Sequence, residues 1–255
     1  VLLCRISLIM TGQIDNVTIY ITETIPNNYE NLASGLISLS LQFGIFLASV
    51  IYSLTDDIEI SGLWRLNFII SGILGLIIMS MRRFIVETKE YREYKEAKPK
   101  YQSIISIIGS NKRGFIKAMI IHGSIGGMYN FFILFFINYI GRVVEIGSVP
   151  MLNLATNIGI ACCAFLAPIA GLIADKANPH KQIFYSLILC LLIGIINIIY
   201  INQFIYSFYF HIALMAVYPF FTAPIIIYLK KLFAVGVRMR LYSLSHTFGS
   251  TILST

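Results

Sequence analysis

The fold of this chain is decided by the stretch GLIADKANPHKQ, Gly171–Gln182. Residues 146–174, which lead into it, contain no Asp, Glu, Lys or Arg. The residues that follow include Asp175, Lys176, His180 and Lys181. A long uncharged segment that ends in a cluster of charged residues is typical of a helix that leaves a membrane. The stretch therefore predicts a membrane protein and marks the end of one membrane-spanning helix.

The composition of the whole chain supports this prediction. Of its 255 residues, 57% are hydrophobic and only 12% are charged, with a mean hydropathy of +0.79. A soluble domain carries about 25% charged residues. The polar surface is therefore too small to cover a water-exposed globule, which favours an integral membrane protein. The four cysteines lie in apolar segments without disulfide or metal-ligand spacing, so we expect neither a metal nor a cofactor.

Seven segments have the length and apolarity of a membrane-spanning helix, which needs about 20 mostly apolar residues. They are 3–25, 35–54, 64–82, 116–140, 149–174, 182–203 and 206–229, and a partial eighth begins near Leu241. The last two complete segments come from one uncharged run, which is too long for a single crossing. We divide this run near Asn202 and Gln203, where polarity rises. The sequence thus predicts an all-α, polytopic helix bundle.

The distribution of basic residues predicts how this bundle is oriented in the membrane. If the segments alternate in direction, 16 of the 19 Lys and Arg residues fall on one side of the membrane. The positive-inside rule makes that side cytoplasmic. The net charge of +7 therefore indicates topology, and no nucleic-acid partner is expected. We predict a multi-pass protein of the cell inner membrane with its long central loop in the cytoplasm.

The central loop divides the chain into two groups of helices. Acidic and basic residues alternate at helical spacing over 82–100 and the pattern ends at Pro99, which predicts a solvated helix. Two interpretations of the loop remain open, a simple connection and a segment that binds anionic lipid. The predicted organisation is the latter half of an N-terminal bundle at 1–86, a cytoplasmic linker at 87–115 and most of a C-terminal bundle at 116–255.

The opening stretch resembles the G-x-x-x-D-[RK]-x-G-x-[RK]-[RK] loop of the major facilitator superfamily. Gly171, Asp175 and Lys176 match the motif, and Lys181 supplies the trailing basic charge. Asn178 replaces the second glycine, which is a mild departure because Asn also tolerates a left-handed backbone after a helix end.

Four further fragments are similar to one branch of that family, the metabolite–proton symporters typified by the proline/betaine transporter. They are YITETIP at 20–26, WRLNF at 64–68, ETKEY at 87–91 and LFAVGVRMR at 232–240. Their order implies an incomplete bundle that runs from the family's fourth span to the start of its eleventh. The chain departs from the branch at Gln13, where a carboxylate is expected, and at Asn67, Lys89 and Ala234, where prolines are expected.

The resemblance implies a function as well as a fold. It implies proton symport of a small metabolite, a proline- or betaine-like zwitterion or an organic acid, by alternating access. The missing spans would come from a complementary polypeptide or from a longer parent chain. The alternative is an inactive remnant or split-gene piece that does not transport alone. Sequence signatures of a membrane-embedded hydrolase do not occur, so an enzyme is not expected.

The motif also implies a gate. A carboxylate at the C-terminal end of its own helix is electrostatically unfavourable, so Asp175 needs compensation elsewhere. The resemblance implies that Asp175 docks onto the N-terminus of the family's eleventh span, near residues 240–244, and that a glycine lets the helices approach. The candidate gating residues are Gly171, Asp175, Lys176, Lys181 and Arg238. The alternative interpretation is a plain cluster of topological charges.

A second set of residues is a candidate for binding the proton or the substrate. Asp15 is an acid deep within an apolar segment, on one helical stripe with Thr11, Thr18 and Thr22. It takes over the proton role of the carboxylate missing at Gln13, or it pairs with Arg5. The other candidates are His122, Asn130, Asn153 and Asn157, for which internal hydrogen bonding is the alternative role.

Overall fold

The computed structural model describes residues 13–56, 64–81, 86–97, 103–132, 139 and 149–253. Within these residues the chain forms ten α-helices, a short 3₁₀ turn at Asn27–Tyr29 and no strand. The helices are α1 (Gln13–Thr24), α2 (Glu30–Asp56), α3 (Trp64–Met81), α4 (Lys89–Glu96), α5 (Ile104–Ser110), α6 (Lys112–Asn130), α7 (Val149–Lys176), α8 (Pro179–Ile199), α9 (Phe204–Lys231) and α10 (Val235–Leu253). The predicted all-α fold is confirmed.

Four segments of these helices are long and apolar enough to cross a membrane. They are Asn27–Ile51, Leu154–Lys176, Pro179–Ile199 and Ile205–Lys231, and the shorter helical segment Phe68–Met81 is also apolar. The outer faces of these helices expose large apolar side chains, such as Leu191 at 63%. Such a surface is stable against lipid and costly in water. The other predicted spans fall on α1, α6 and α10, and the sevenfold threading stays a prediction.

The connection between α8 and α9 lies where the polarity rises. Helix α8 ends at Ile199 and α9 begins at Phe204, so the division of the long uncharged run near Asn202 is confirmed. Asn178 does not use the left-handed backbone that Asn tolerates. Its φ is −81°, and its side chain accepts hydrogen bonds from the backbone of His180 and Lys181 as the N-cap of α8. Capping the next helix, not ending the previous one, determines its conformation.

Helix α9 is the centre of the packing. It contacts α7, α8 and α2, and its residues Met215, Phe221 and Leu229 are completely buried. Pro224 within α9 cannot donate a backbone hydrogen bond to the carbonyl of Phe220. The side-chain amide of Gln182 on α8 donates to that carbonyl at 3.0 Å and to the carbonyl of Ala170 at 2.9 Å. This contact helps the helix to continue through the proline.

Glycine brings helices together at two interfaces. Where α2 packs along α7, a Cβ at Gly35 would overlap the carbonyl of Ala167, and one at Gly171 would overlap the carbonyl of Asn31. Where α6 packs along α10, a Cβ at Gly249 would overlap the carbonyl of Met119. Backbones in such contact exclude larger side chains, and their close approach gives dense packing without a hydrophobic driving force.

The charged linker helix α4 is partly docked. Thr88 caps its N-terminus by accepting a hydrogen bond from the amide of Tyr91 at 3.3 Å. Lys89 and Glu93 form the predicted exposed i,i+4 pair at 3.9 Å. The expectation of a fully solvated helix was wrong on one face, because the ring of Tyr94 lies against Gly236 at the start of α10.

Candidate functional site

Asp175 caps a helix that lies far from it in the chain. Its carboxylate accepts hydrogen bonds from the backbone amides of Asn31 at 3.0 Å and Leu32 at 2.8 Å, and from the side-chain amide of Asn31 at 2.8 Å. The two backbone amides belong to the first turn of α2, whose N–H groups have no partner within their own helix. The carboxylate also lies at the positive end of the α2 dipole, which compensates its place at the C-terminal end of α7.

The expected docking partner of Asp175 was therefore wrong. The carboxylate binds the N-terminus of α2, and not the segment near residues 240–244. The physical reason is that α7 packs along α2, so the end of α7 arrives at the beginning of α2. Gly171 has the expected role but at this other interface, because it lies one turn before Asp175 and contacts the backbone of Asn31 and Leu32.

The two lysines of the motif do not share in this contact. Lys176 and Lys181 are exposed, and neither forms an ion pair with the described residues. The backbone amide of Lys181 takes part in capping α8, but its side chain does not. The structure thus brings Gly171 and Asp175 together with α2 and leaves both lysine side chains outside the contact.

A buried ion pair lies beside this helix cap. Lys230 at the end of α9 is 3% exposed and donates to Glu30 at 2.9 Å and to the carbonyl of Thr22 at 2.8 Å. The more exposed Lys231 reaches the other carboxylate oxygen of Glu30 at 2.6 Å. Both oxygens of a buried carboxylate are therefore paired, which is the condition under which burial of a charge is tolerated.

Arg238 joins three helices at the same end of the molecule. Its guanidinium donates to Glu23 of α1 at 2.6 Å and to Glu90 of α4 at 2.7 Å. The hydroxyl of Thr88 donates to the other oxygen of Glu23 at 2.8 Å. Burial opposes the charge of Arg238, yet its hydrogen bonds to Glu90 and Glu23 raise the pKa of the guanidinium above its ordinary value. Arg238 therefore stays charged and holds the linker helix against the bundle.

These contacts form one group, which we name the linker-end cluster. Its members are Glu23, Glu30, Glu90, Asp175, Lys230 and Arg238. Every ion pair or cap in it connects a residue at or before the linker with a residue after the linker. The cluster can therefore hold the two parts of the chain together at this end.

A second group lies inside the bundle. Nδ1 of His246 on α10 is 2.7 Å from Oδ1 of Asp15 on α1. The ring of His246 is 4.9 Å from the ring of His122 on α6, centroid to centroid. Nδ1 of His122 is 3.3 Å from the hydroxyl of Ser245, and the ring of Tyr242 stands edge-on to His122 at 4.8 Å. We name these five residues the interior cluster.

The interior cluster includes two of the predicted proton or substrate candidates, Asp15 and His122. The predicted polar stripe is buried where it is described, with Asp15 5%, Thr18 6% and Thr22 1% exposed. Arg5 and Thr11 lie outside the described residues, as does the side chain of Gln13, so the alternative Asp15–Arg5 pair is not tested. The described partner of Asp15 is His246, which the sequence analysis missed.

The remaining candidates lie elsewhere. Asn157 accepts a hydrogen bond from Ser49 at 2.9 Å and so links α7 to α2, as its interhelical alternative predicts. Asn130 is half-buried at the end of α6, eight residues or about 12 Å from His122 along the helix axis. The side chain of Asn153 lies outside the described residues.

Sequence signals for the missed residues did exist. His246 lies inside the partial eighth segment, and an ionisable residue at such a position is a functional candidate by default. Glu23 is the acid of the YITETIP fragment, whose role was not assigned. Glu30 follows shortly after the proline of that fragment, and Lys230 and Lys231 pair with it. Across the described residues, His, Cys, Asp and Glu form no group of three or more that could hold a metal ion.

Comparison with models of known protein families gives a match. The family model described as Major Facilitator Superfamily matches residues 8–254, almost the whole chain. No curated protein matches the sequence.

Proposed function

Because the chain belongs to the major facilitator superfamily, a family of membrane transporters, we propose that it moves a small metabolite across the membrane together with a proton. The proposed substrates are proline- or betaine-like zwitterions and organic acids, as the branch resemblance of YITETIP and WRLNF implies. The proposed location is the cell inner membrane, with the linker and the linker-end cluster on the cytoplasmic side. This orientation follows from the distribution of basic residues.

The proposed mechanism is alternating access. Two bundles rock about a site near the middle of the membrane and expose it first to one side and then to the other. The first bundle comprises residues 1–86, the second comprises 116–255, and 87–115 connects them. In this interpretation the linker-end cluster closes the cytoplasmic side.

The observation that carries this proposal is the cap that Asp175 forms on α2. It lies between one helix before the linker and one after it, and three hydrogen bonds hold it. A helix cap contributes about 0.5–2 kcal/mol. That is strong enough to bias one conformation and weak enough to break in each cycle, because water can replace the carboxylate once the two ends separate.

The direct test is uptake by the protein expressed from its complete reading frame and reconstituted in liposomes. We expect uptake of radiolabelled proline, glycine betaine or a dicarboxylate to rise when an inward proton gradient is imposed. Asp175→Asn should lower this uptake while the amount of inserted protein stays the same. Uptake of all three probes at the level of empty liposomes would contradict the proposal.

A second candidate is an inactive remnant or split-gene piece of such a transporter. The departures from the branch pattern favour it, especially Gln13 in place of a carboxylate and Ala234 in place of a proline. A complementary polypeptide that supplies further spans belongs to the first proposal, whereas this second candidate does not transport alone. Co-expression distinguishes the two, since uptake that appears only with the second polypeptide identifies a split transporter.

A further inference from the structure

The interior cluster places two of the chain's four histidines beside one buried carboxylate. We propose that His246 carries the transported proton, with Asp15 as its fixed counter-charge and His122 as a neutral neighbour that limits the site to one proton. The inference rests on the proton-coupled transport proposed above. It assigns the transported proton to the imidazole of His246, whereas the sequence analysis considered the carboxylate of Asp15 for this role.

The contact between Asp15 and His246 supplies the first step. Asp15 is buried, and an ionised carboxylate in such a place needs a partner. His246 is the described side chain within hydrogen-bonding distance of it, at 2.7 Å. At that distance a carboxylate stabilises the imidazolium and fixes the orientation of the ring. The pair is neutral overall when His246 is protonated and carries one negative charge when it is not.

Access to the pair supplies the second step. The rest of the chain leaves 41% of the His246 side chain uncovered, but only 7% of the Asp15 side chain. A proton donor can therefore reach the imidazole and cannot reach the carboxylate directly. The proton therefore arrives on His246 and leaves from it.

The hydrogen bonds around His122 supply the third step. The hydroxyl of Ser245 donates to the carbonyl of Tyr242 at 2.8 Å, so its oxygen is left to accept from Nδ1–H of His122. This assigns the neutral tautomer of His122 with a lone pair on Nε2, an atom that is buried and has no hydrogen-bond partner among the described residues. A charged His246 disfavours a second charge on the adjacent ring, whose centroid is 4.9 Å away.

Two charged side chains on neighbouring helices are paired with residues outside the interior cluster. The titratable groups that face His246 are Asp15 of α1, His122 of α6 and, on its own helix, Tyr242, which contacts His122. On the helices that also contact α10, Glu90 of α4 is held by Arg238, and Lys230 of α9 is held by Glu30. The proton affinity of the site therefore depends mainly on Asp15 and His122.

The test is a titration of the protein with isotope-labelled histidine by NMR in lipid nanodiscs, in which each histidine signal is assigned by its loss in a single variant. We expect the signal lost in His246→Asn to titrate and its midpoint to fall by about one pH unit or more in Asp15→Asn, since a close opposite charge shifts a midpoint by that much. The signal lost in His122→Asn should not titrate over the same range. A His246 signal that does not titrate, or a midpoint that Asp15→Asn leaves unchanged, would overturn the inference.

Proton-driven uptake of radiolabelled proline and glycine betaine gives a second measurement. His246→Asn should lower the gradient-driven part of uptake about 5- to 150-fold, the usual range for coupling between two sites. The matched control is His180→Asn, an exposed histidine at the start of α8, which should leave the gradient-driven uptake unchanged. Wild-type uptake that does not depend on the proton gradient would contradict the proposed function itself. Wild-type uptake that follows the gradient, with equal values for the two variants, would overturn only the role of His246.

Discussion

Glycines allow close helix packing at two interfaces of this protein, but the polar contacts of the two interfaces differ. Helices α2 and α7 approach through Gly35 and Gly171, and helices α6 and α10 approach through Gly123 and Gly249. The first interface joins helices on opposite sides of the linker and ends in the cap of Asp175. The second joins two helices after the linker, and its polar contacts lie in the interior cluster.

We infer from this difference that one of the two close contacts can open and the other cannot. Glycine permits close approach at both interfaces, so the polar groups decide whether an interface can open. At the end of α2 and α7, water can take over the hydrogen bonds of Asp175 when the helices separate. Between α6 and α10, the buried Nδ1 of His122 would lose its partner at a cost of about 1–3 kcal/mol, while the hydroxyl of Ser245 would keep its bond to the carbonyl of Tyr242. We therefore expect α2 and α7 to separate during transport and α6 and α10 to stay together.

The largest expected effect is that of Gly249→Leu. Its side chain would overlap the backbone of α6 at Met119, so the change should destabilise the protein by more than about 3 kcal/mol, the upper end for overpacking. The measurement is the thermal unfolding midpoint in detergent. Gly194→Leu is the matched control, because nothing from another helix lies within 4 Å of a Cβ at that position. Equal midpoints for the two variants would show that α6 and α10 do not need their close contact.

The next effect is that of Lys230→Met, which leaves buried Glu30 with only the exposed Lys231. Removing one partner of a buried pair costs about 3–5 kcal/mol, and the remaining lysine places this case near 3 kcal/mol. The linker end should open more often, so a cysteine at buried Ala174 should react about 100-fold faster with an impermeant maleimide. The native cysteines are replaced for this measurement.

The double variant Glu30→Gln with Lys230→Met serves as its control. It removes both charges, so the labelling rate should return toward that of the parent protein. A single variant that labels no faster than the parent would contradict the role of the ion pair in closing this end.

Asp175→Asn should have a smaller effect on the same labelling rate. It removes the charge that faces the α2 dipole and keeps one oxygen to accept hydrogen bonds, so we expect about 1–2 kcal/mol, or about 5- to 30-fold faster labelling. Lys181→Gln is the control, because its side chain is exposed and outside the contact. If both variants labelled equally fast, the stretch would be only a cluster of topological charges.

Glu90→Gln should have the smallest effect. The side chain of Glu90 is 41% exposed, and Arg238 keeps its bond to the buried Glu23. A partly exposed pair of this kind contributes about 0.2–1 kcal/mol. The labelling rate should rise less than about 5-fold, and high salt should reduce the difference from the parent protein. A larger effect that is insensitive to salt would mean that α4 locks the interface more strongly than its exposure suggests.

Much of the fold could be predicted from the sequence, because lipid imposes a strong pattern on it. Uncharged segments of spanning length and the charges between them placed α2, α3, α7, α8 and α9 within a few residues. The sequence could not show which helices would pack together, since Leu and Ile on a lipid-facing surface resemble those in a core. The docking of Asp175 was therefore assigned to the wrong helix, although the need for a partner was predicted correctly.

The candidate sites divide in the same way. Asp15 stood out because a carboxylate in an apolar segment is costly, and Gly171 because a glycine one turn before Asp175 implied a close contact. His246 and Lys230 were missed because their importance depends on partners 231 and 200 residues away in the chain. Only the packing of α10 on α1 and of α9 on α2 brings these pairs together.

The most direct test of the account measures the distance between the two sides of the linker end by double electron–electron resonance in liposomes. One pair of spin labels at Asn28 and Ala177 reports on α2 and α7, and a second pair at Ile120 and Ile252 reports on α6 and α10; all four residues are exposed. We predict two distances for the first pair, one short and one long, and a single distance for the second pair. Asp175→Asn should increase the fraction of molecules that show the long distance. A single, unchanged distance for the first pair in both proteins would contradict the claim that this interface opens.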